Sequence, residues 1–415
     1  MNPSRREFLH TLAAAGVGVC AAPALAVPVP QAGRARQLHN RFPDLRRHFV
    51  FEYYPWYETA PYQHWDQSKR HPPIDVASNY MPRLGAYRSA DPRVIEQHAR
   101  WIADIGVGAI NVSWWGPGDL TDRTIPVLMD VMAAHDIHVA FHLEPYTDNH
   151  SANYARDIQY LLKEYGDRRS WDCFLLLQHA DGKVGPVFKS FRTIVPETGT
   201  DCHGVRYTVG DYAADAVWRL QTDRVRETFR GDFDRITLLA DSLNFDRARV
   251  SGFDGIAIYD NYVAPDTWTA HAQNCSARNL VFSFNVNPGF DCIVQRKVDP
   301  NSCYSPPPFE PGAATYDWSR AADRERAARA SLARITESFE TTLALQTRAT
   351  LANVKQDFFL TYINSFNEWH EGHQFEPMKD AAALTAGERA VGYHNPDDGG
   401  YRLERLRDLL DELDI

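Results

Sequence analysis

The sequence predicts an α/β fold, a single (β/α)8 (TIM) barrel with elaborated loops, over residues 46–415. Three observations lead to this prediction. About eight strand-and-helix units follow one another along the chain, the number that a closed barrel requires. Their strands are near-continuous apolar runs, as expected when both faces of a parallel sheet are covered. Polar and aromatic side chains recur where the strands end, and barrels of this type carry their active sites at that rim.

The first units have the clearest boundaries. Residues 48–56 form a short aromatic and β-branched strand that Pro55 ends. Residues 91–106 have the apolar spacing of an amphipathic helix, with Asp91 and Pro92 at its start and Gly106 at its stop. The later strands are predicted at 109–114, 138–143, 174–178 or 186–191, 236–240, 255–259, 280–285 and 358–363, and the later helices at 121–135, 152–165, 212–229, 264–277, 318–347 and 402–413.

The N-terminal residues have the features of an export signal. Ser-Arg-Arg-Glu-Phe-Leu at 4–9 resembles the twin-arginine motif, and a short apolar run and a small-residue cleavage site at 24–26 follow it. We expect a twin-arginine signal peptide over 1–26, a linker over 27–45, and a bacterial protein that is periplasmic or secreted. The apolar run is shorter than the ~20 residues that span a bilayer, so no membrane span is expected. A lipoprotein processed at Cys20 is the alternative, and the bulky Val19 disfavours it.

Composition excludes several classes of function. The formal net charge is -10, and no basic block interleaves with aromatic residues, so a nucleic-acid partner is not expected. Neither a Gly-x-Gly-x-x-Gly nor a Walker pattern occurs, so no nucleotide cofactor is expected. Neither C-x-x-C nor H-E-x-x-H spacing occurs, so we expect no metal and no cofactor. We also expect a monomer.

Five cysteines remain after the predicted cleavage, and an odd number leaves at least one of them unpaired in an oxidising compartment. Sequence does not give their connectivity. The bridges that we would test first join Cys292 to Cys303 or to Cys275.

The stretch 361–376 is the strongest candidate for chemistry. An apolar, strand-like segment breaks there into a loop in which Glu368 and Glu371 lie three residues apart, beside Trp369, His370 and Gly372. A tight turn would aim both carboxyl groups into one cavity, where one acts as proton acceptor and the other as proton donor. The sequence therefore predicts Glu368 and Glu371 as the catalytic pair.

Other strand ends supply a set of side chains suited to sugars. The flat faces of sugar rings stack on Trp and Tyr, while carboxylate, amide and imidazole groups bind the hydroxyls. Trp114 and Trp115 are adjacent, so one is expected in the core and the other at the site. The predicted substrate-binding residues are Tyr54, Trp56, Trp115, His142, Glu144, Tyr146, Asn367, His370 and Glu376. A neutral carbohydrate is therefore the expected partner.

Four segments together resemble glycoside hydrolase family 99, the endo-acting α-mannosidases and α-mannanases. They are Tyr-Tyr-Pro-Trp-Tyr at 53–57, Ser-Trp-Trp-Gly-Pro-Gly at 113–118, Phe-His-Leu-Glu-Pro-Tyr at 141–146 and Ser-Phe-Asn-Glu-Trp-His-Glu-Gly-x-Gln-x-Glu-Pro at 365–377. The resemblance implies a (β/α)8 barrel and metal-independent, retaining hydrolysis within a mannose-containing oligosaccharide or polysaccharide. It also implies that Glu144, Trp115 and Tyr54 line the sugar subsites.

The same resemblance implies unequal roles for the two glutamates. Glu368 would be a base that takes the proton of the sugar 2-hydroxyl, so that a 1,2-anhydro sugar forms, and Glu371 would be the general acid. The chain departs from the family pattern at Glu58, where glycine is usual, and at His373, where threonine is common. Two alternatives stay open: a non-catalytic carbohydrate-binding protein on the same barrel, and metal-dependent hydrolysis of an ester or amide.

Overall fold

A computed structural model describes residues 31–312 and 315–415, in which eight parallel strands form a nearly closed barrel surrounded by helices. The predicted (β/α)8 architecture is therefore confirmed. The barrel strands, in chain order, are β1 (Phe49–Tyr53), β2 (Ala109–Trp114), β3 (His138–Leu143), β5 (Val184–Ser190), β8 (Thr237–Ala240), β9 (Gly255–Ala257), β10 (Val281–Ser283) and β11 (Thr361–Ile363). The short β4 (Leu176–Gln178) pairs antiparallel with β5, so of the two segments predicted for the fourth barrel strand the later one occupies the ring.

The surrounding helices follow the predicted order. They are α1 (Gln31–His39), α2 (Pro92–Ala103), α3 (Leu120–Ala134), α4 (His150–Leu161), α5 (Asp215–Thr228), α6 (Phe245–Val250), α7 (Trp268–Ala277), α8 (Ala321–Gln346), α9 (Ala352–Lys355), α10 (Ala386–Val391) and α11 (Tyr401–Asp411). Asp91 caps α2 by accepting the Arg93 N–H, as the Asp-Pro start predicts. The short α6, α9 and α10 are not predicted, because a helix of four to six residues has too few turns to produce a periodic pattern.

Side-chain amides close the seam between β10 and β11, whose main chains meet only through a bridge between Val286 and Ile363. The Asn353 carboxamide accepts the N–H of Phe282 and donates to its carbonyl oxygen, at 2.9 and 2.7 Å. Gln346 donates to Thr361 Oγ1 and accepts the Leu360 N–H. These two amides replace part of the missing hydrogen-bond ladder and hold the last strand in the ring.

Alternation along the strands divides the barrel interior into layers. An apolar layer contains Val50, Ala109, Ala140 and Val187, which are all buried in one cluster. Two residues further along each strand, towards the C-terminal rim, stand Glu52, Asn111, His142 and Lys189, also fully buried. The next residues on the same faces of β2 and β3, Ser113 and Glu144, reach the rim. The interior therefore changes from apolar to charged in the direction of the predicted site.

The predicted linker over 27–45 differs from the structure. Gln31–His39 forms α1, and Leu38, Phe42 and Leu45 are buried in the main core. Arg, Gln and Pro residues interrupt the apolar residues of this segment, so its sequence has no apolar periodicity that would predict a helix. The predicted signal peptide lies outside the described residues. Within the residues that the structure describes, no helix has the length and apolarity to cross a membrane.

The disulfide prediction is wrong. Cys202 is bonded to Cys303, while Cys173, Cys275 and Cys292 are buried thiols. The bond joins a hairpin of β6 (Thr198–Thr200) and β7 (Arg206–Thr208) to the segment that follows β10. Two insertions of the barrel meet there, 101 residues apart in sequence. The predicted bridges joined Cys292 to cysteines nearby in sequence, and a short separation in sequence does not predict a contact between two distant insertions.

Candidate active site

The loop after β11 is folded back on itself, and this fixes the position of both candidate glutamates. Ser365 exchanges backbone hydrogen bonds with His373 and Phe375, and the Glu376 N–H donates to the Phe366 carbonyl oxygen. The turn needs glycine at 372, where φ is 68° and a Cβ atom would lie 2.3 Å from the Asp291 carbonyl oxygen. Residues 367–374 therefore form a rigid projection at the rim.

Arg402 holds this projection from below. Its guanidinium donates to the carbonyl oxygens of Gly372 and Gln374, each at 2.9 Å. Arg402 lies on α11 and is almost completely buried, so the last helix of the chain supports the loop that carries the two glutamates.

Glu368 is buried, with 1% of its surface exposed. Its Oε1 accepts the His370 N–H at 3.1 Å and lies 3.2 Å from His370 Nδ1. Its own N–H donates to Ser365 Oγ at 2.8 Å. Burial and then the charge of Glu368 raise the pKa of the neighbouring Tyr57 hydroxyl well above its usual value. The carboxylate is thus held in one orientation by its own loop.

Glu371 is more open, with 8% of its surface exposed. Its Oε2 lies 3.0 Å from the Tyr259 hydroxyl and 2.9 Å from His373 Nε2. Tyr259 follows β9, which β10 separates from β11 in the barrel, so the end of a non-adjacent strand contacts the loop of the eighth strand at the rim. Tyr259 is the last residue of the predicted strand 255–259, and the sequence does not indicate a role for it.

Contacts between side chains connect the two glutamates around a ring. Successive members are hydrogen-bonded, have a histidine nitrogen within 4.0 Å of a carboxylate oxygen, or have ring centroids 5.8 to 6.1 Å apart. In order around the ring, they are Glu371, Tyr259, His142, Glu144, Ser113, Trp115, Trp56, His370 and Glu368. Most of the predicted site residues therefore meet at one rim of the barrel.

The aromatic side of the ring has the form of a platform. Trp115 is half-buried at the site, whereas Trp114 is fully buried and donates from its indole N–H to Asp122, as the alternation of strand faces predicts. Trp56 stacks on His64 with ring centroids 4.6 Å apart and nearly parallel planes. Tyr54 lies against Trp56 at 4.9 Å. Flat rings of this kind suit the apolar face of a sugar.

Three of the predicted binding residues lie away from this ring. Tyr146 packs on Trp114 and donates to Asp157, on the helix side of the strand. Asn367 is fully buried and bonds to the backbone N–H and carbonyl oxygen of Tyr54. Glu376 is fully buried as well. The partners of Asn367 and Glu376 are protein groups, so the structure favours a role in holding the site together.

The charged layer beneath the ring was not recognised as a unit from sequence. Lys189 Nζ lies 2.6 Å from Glu52 Oε1, and Asn111 and His142 contact Glu52 Oε2 at 3.0 and 3.1 Å. Burial alone would raise the pKa of Glu52, but Lys189 and His142 outweigh it and lower the pKa to about 2. Glu52 is therefore an anion that balances the buried cation below the site.

Asp260 is a further carboxyl group, close enough to Glu371 and Asp241 for their charges to act on it. Burial, together with the like charges of Asp241 and Glu371, raises the pKa of Asp260 to about 7, although the Tyr262 N–H that it accepts acts in the opposite direction. At neutral pH it is therefore partly protonated. The segment around it, Tyr-Asp-Asn-Tyr at 259–262, gives no indication of this in sequence.

One group of potential metal ligands occurs among the described residues. Cys202, His203 and Cys303 lie together on the surface, but both sulfur atoms are joined in the disulfide and are not thiolates. Metal binding by thiolate therefore does not fit this group as it stands.

Comparisons with known proteins point to one family. The family model described as glycosyl hydrolase family 99 matches residues 44–176. The glycoprotein endo-alpha-1,2-mannosidase of Mus musculus is 26% identical over 402 residues, which cover 88% of this chain and 74% of the mouse protein. A glycoprotein endo-alpha-1,2-mannosidase-like protein of Danio rerio is 27% identical over 386 residues, covering 83% and 74%.

A solved structure agrees at the level of the fold. The GH99 endo-alpha-mannosidase from Bacteroides thetaiotaomicron superposes with a TM-score of 0.60 at 22% sequence identity, covering 88% of this chain and 97% of the bacterial one. The barrel and its surrounding helices are therefore shared over nearly the whole of that protein.

Proposed function

Since the chain belongs to glycosyl hydrolase family 99 and is a glycoside hydrolase, we propose that it cleaves internal α-mannosidic linkages with net retention. Glu368 is the base and Glu371 the general acid. The observation that carries the proposal is the ring of contacts at the barrel rim, in which both glutamates stand on one rigid loop opposite the Trp56 and Trp115 platform.

The stereochemistry of the substrate supports this division of roles. In an α-mannoside the 2-hydroxyl and the leaving group lie on opposite faces of the sugar ring. A 2-oxyanion can therefore attack carbon 1 from the side opposite the departing oxygen. A base that faces the 2-hydroxyl and an acid that faces the glycosidic oxygen are then sufficient, and no nucleophile on the protein is needed.

In the first step Glu368 takes the 2-hydroxyl proton and O2 bonds to carbon 1. The bond from carbon 1 to the glycosidic oxygen breaks, and that oxygen receives the proton of Glu371. In the second step Glu371 takes a proton from water, whose oxygen bonds to carbon 1 and opens the 1,2-anhydro ring. O2 recovers its proton from Glu368. Two inversions at carbon 1 give net retention, and both glutamates return to their starting states.

The buried charges below the site support the proposal as well. A mechanism of this kind is favoured where bulk water is excluded and only the reacting water enters, because hydrogen bonds to the reacting groups are then strong. Glu52 and Lys189 neutralise one another directly beneath the ring. The reacting pair consequently stands above a balanced, fully packed layer, and a sugar hydroxyl does not compete with an uncompensated charge.

The test is product analysis. The protein is incubated with a panel of α-mannans and gluco-mannosides, products are identified by mass spectrometry, and the anomer formed first is followed by NMR. We expect internal cleavage and a product that is initially α-configured. Glu371→Gln should abolish hydrolysis of natural mannosides and retain part of the activity on aryl glycosides whose leaving group needs no proton. Binding to α-mannans without release of any product would instead favour the carbohydrate-binding alternative.

We also propose that the protein acts outside the bacterial cytoplasm, after twin-arginine export. The motif at 4–9 supports this, and so does the Cys202–Cys303 disulfide, since such bonds persist in oxidising compartments. N-terminal sequencing of the protein from a periplasmic extract should give a chain beginning near Val27. A protein that stays in the cytoplasm with Met1 intact would overturn the export proposal.

A further inference from the structure

His373 lies between the loop backbone and Glu371, with both ring nitrogens engaged. The side chain is fully buried. Its Nε2 lies 2.9 Å from Glu371 Oε2, and its Nδ1 lies 3.0 Å from Ser365 Oγ. The Ser365 N–H also donates to the His373 carbonyl oxygen, so the two residues are fixed to each other through the main chain.

We assign the bond between Ser365 and His373 in one direction. Ser365 Oγ accepts the N–H of Glu368 at 2.8 Å, and in this assignment it donates its own proton to His373 Nδ1. Nδ1 is then the acceptor, and a neutral imidazole holds its proton on Nε2. That proton is donated to Glu371 Oε2. A continuous series of hydrogen bonds therefore links the backbone of one glutamate to the carboxylate of the other.

The Tyr259 hydroxyl donates to the same oxygen of Glu371, at 3.0 Å. An oxygen that accepts two hydrogen bonds is a poor place for a proton. In its acid form Glu371 therefore carries the proton on Oε1. When that proton leaves, the negative charge that develops meets two donors already in position, which is the preorganisation that stabilises a transition state.

We infer that His373 is a positioning residue for the general acid, and that its Nε2–H sets the pH at which Glu371 loses its proton. This inference rests on the proposed function, because it takes Glu371 as the acid. A donor to the carboxylate favours the charged form and lowers the pKa. His373 therefore opposes the burial of the site and allows Glu371 to alternate between acid and base.

Other charged and titratable groups face the same pair, and the experiment must hold them constant. On its own loop the neighbour is Glu368, reached through Ser365. The remaining groups come from the strand ends and the interior of the barrel: Tyr259, Asp260, Tyr262, Asp291, Cys292, Asp241, His142 and Lys189. A change confined to residue 373 leaves all of them in place.

Two amide variants separate the two ring nitrogens. The amide of Gln reaches the position of Nε2, so His373→Gln keeps a donor to Glu371. The amide of Asn reaches only the position of Nδ1, so His373→Asn keeps the bond to Ser365 and loses the donor. Neither amide titrates in the working range. The pair is therefore matched in polarity and differs in the one hydrogen bond that matters.

We expect His373→Asn to lower kcat on α-mannans by about 10–100-fold, the range for losing a group that orients a reacting one, and to change KM little. The basic limb of its kcat/KM profile should move to higher pH by about one pH unit, because the Glu371 carboxylate has lost a donor. On an aryl glycoside with a good leaving group the loss should shrink to within about threefold. His373→Gln should lose at least about fivefold less activity than His373→Asn on α-mannans.

Equal losses in the two variants, with no movement of the basic limb, would overturn the inference and leave His373 as a packing residue. Thermal unfolding is measured on both variants, and Ser365→Ala serves as a third variant if His373→Asn does not fold. Ser365→Ala removes the hydroxyl that donates to His373 Nδ1 and so fixes the tautomer, and an unchanged pH profile in it would also overturn the inference. Wild-type protein that releases no product from any α-mannan would instead refute the proposed function.

Discussion

Glu371 and Glu376 lie on the same loop and have similar partners, yet they belong to different parts of the molecule. Glu371 accepts from a tyrosine hydroxyl and faces a histidine nitrogen, at 3.0 and 2.9 Å. Glu376 accepts from the Tyr87 hydroxyl and the Trp369 indole N–H at 2.7 and 2.9 Å, with His98 Nε2 at 3.3 Å. Glu371 is 8% exposed and Glu376 is 0% exposed. Hydrogen-bond partners alone therefore do not distinguish the proposed general acid from a carboxylate with a structural role.

The surroundings of the two carboxylates make the difference. Glu376 fixes Trp369 and Tyr87, and Tyr87 in turn contacts the Asn367 carboxamide that is bonded to Tyr54. This is a packed network behind the loop. Glu371 stands on the ring of contacts at the barrel rim. The comparison predicts that variants on the ring lose turnover with little change in stability, and that variants in the network behind the loop do the reverse.

The largest expected effect is on turnover at Glu368. Glu368→Gln should lower kcat by at least about 10³-fold on natural and activated substrates alike, because every substrate needs its 2-hydroxyl deprotonated. Initial rates on an α-mannan and on an aryl glycoside measure this. Rescue by a good leaving group, as expected for Glu371→Gln, would show that the two roles are reversed.

The next largest effect is on stability, at the buried ion pair. Lys189→Met should reduce the free energy of unfolding by about 3–5 kcal/mol, since it leaves the Glu52 carboxylate buried without its cation. Urea denaturation followed by tryptophan fluorescence measures the loss. The double variant Glu52→Gln, Lys189→Met is the control and should recover most of it. A double variant as unstable as the single one would show that packing, and not charge, is responsible.

Glu376→Gln tests the buried side of the comparison directly. The amide oxygen can keep the Tyr87 and Trp369 donors, while the NH2 group replaces Oε1 opposite His98 Nε2. We expect the loss of the buried carboxylate to cost about 1–3 kcal/mol in unfolding free energy. We expect kcat to fall by less than about tenfold, in contrast to Glu371→Gln. Thermal unfolding and steady-state kinetics on the same preparation provide the comparison. A large loss of kcat at unchanged stability would place Glu376 among the reacting groups.

The smallest effect is expected at Asp260 and depends on pH. Its pKa is about 7 in the folded protein, above the ordinary value of 3.8, so the folded state holds the proton more tightly than the unfolded state. The stability that this group contributes is complete below pH 3.8 and is lost as pH rises through 7. Asp260→Asn should therefore stabilise the protein at pH 8 by at least about 1 kcal/mol. No difference between pH 5 and pH 8 would contradict the assignment.

Sequence patterns predicted the barrel because a few consecutive apolar residues are sufficient to indicate each strand. They also placed Glu368 and Glu371, three residues apart, on one loop at the end of the last strand, as in the structure, and the catalytic role of the pair stays a prediction. Lys189 was missed because a lysine within an apolar strand has no local signature, and its partner Glu52 is 137 residues away. The Cys202–Cys303 bond was missed for the same reason.

Tyr146 shows a different limit. It follows the Glu-Pro pair after β3, at a strand end where a site residue was expected. Its ring instead packs against Trp114, and a Cβ atom on Gly116 would lie 2.7 Å from that ring. The position of a residue at the end of a strand predicts that it lies at the rim of the barrel. It does not predict the direction of its side chain when the residue is in the loop beyond the strand.

The amide seam between β10 and β11 has a consequence for how the protein ages. Carboxamides carry no charge, so neither salt nor a moderate change of pH loosens Asn353 and Gln346 from their partners. Prolonged heat acts differently, since asparagine and glutamine are thermolabile residues. Deamidation of Asn353 would put a carboxylate against the Phe282 carbonyl oxygen, where the amide now donates at 2.7 Å. Deamidation would thus weaken the closure of the barrel beside β11, the strand that leads into the loop of Glu368 and Glu371.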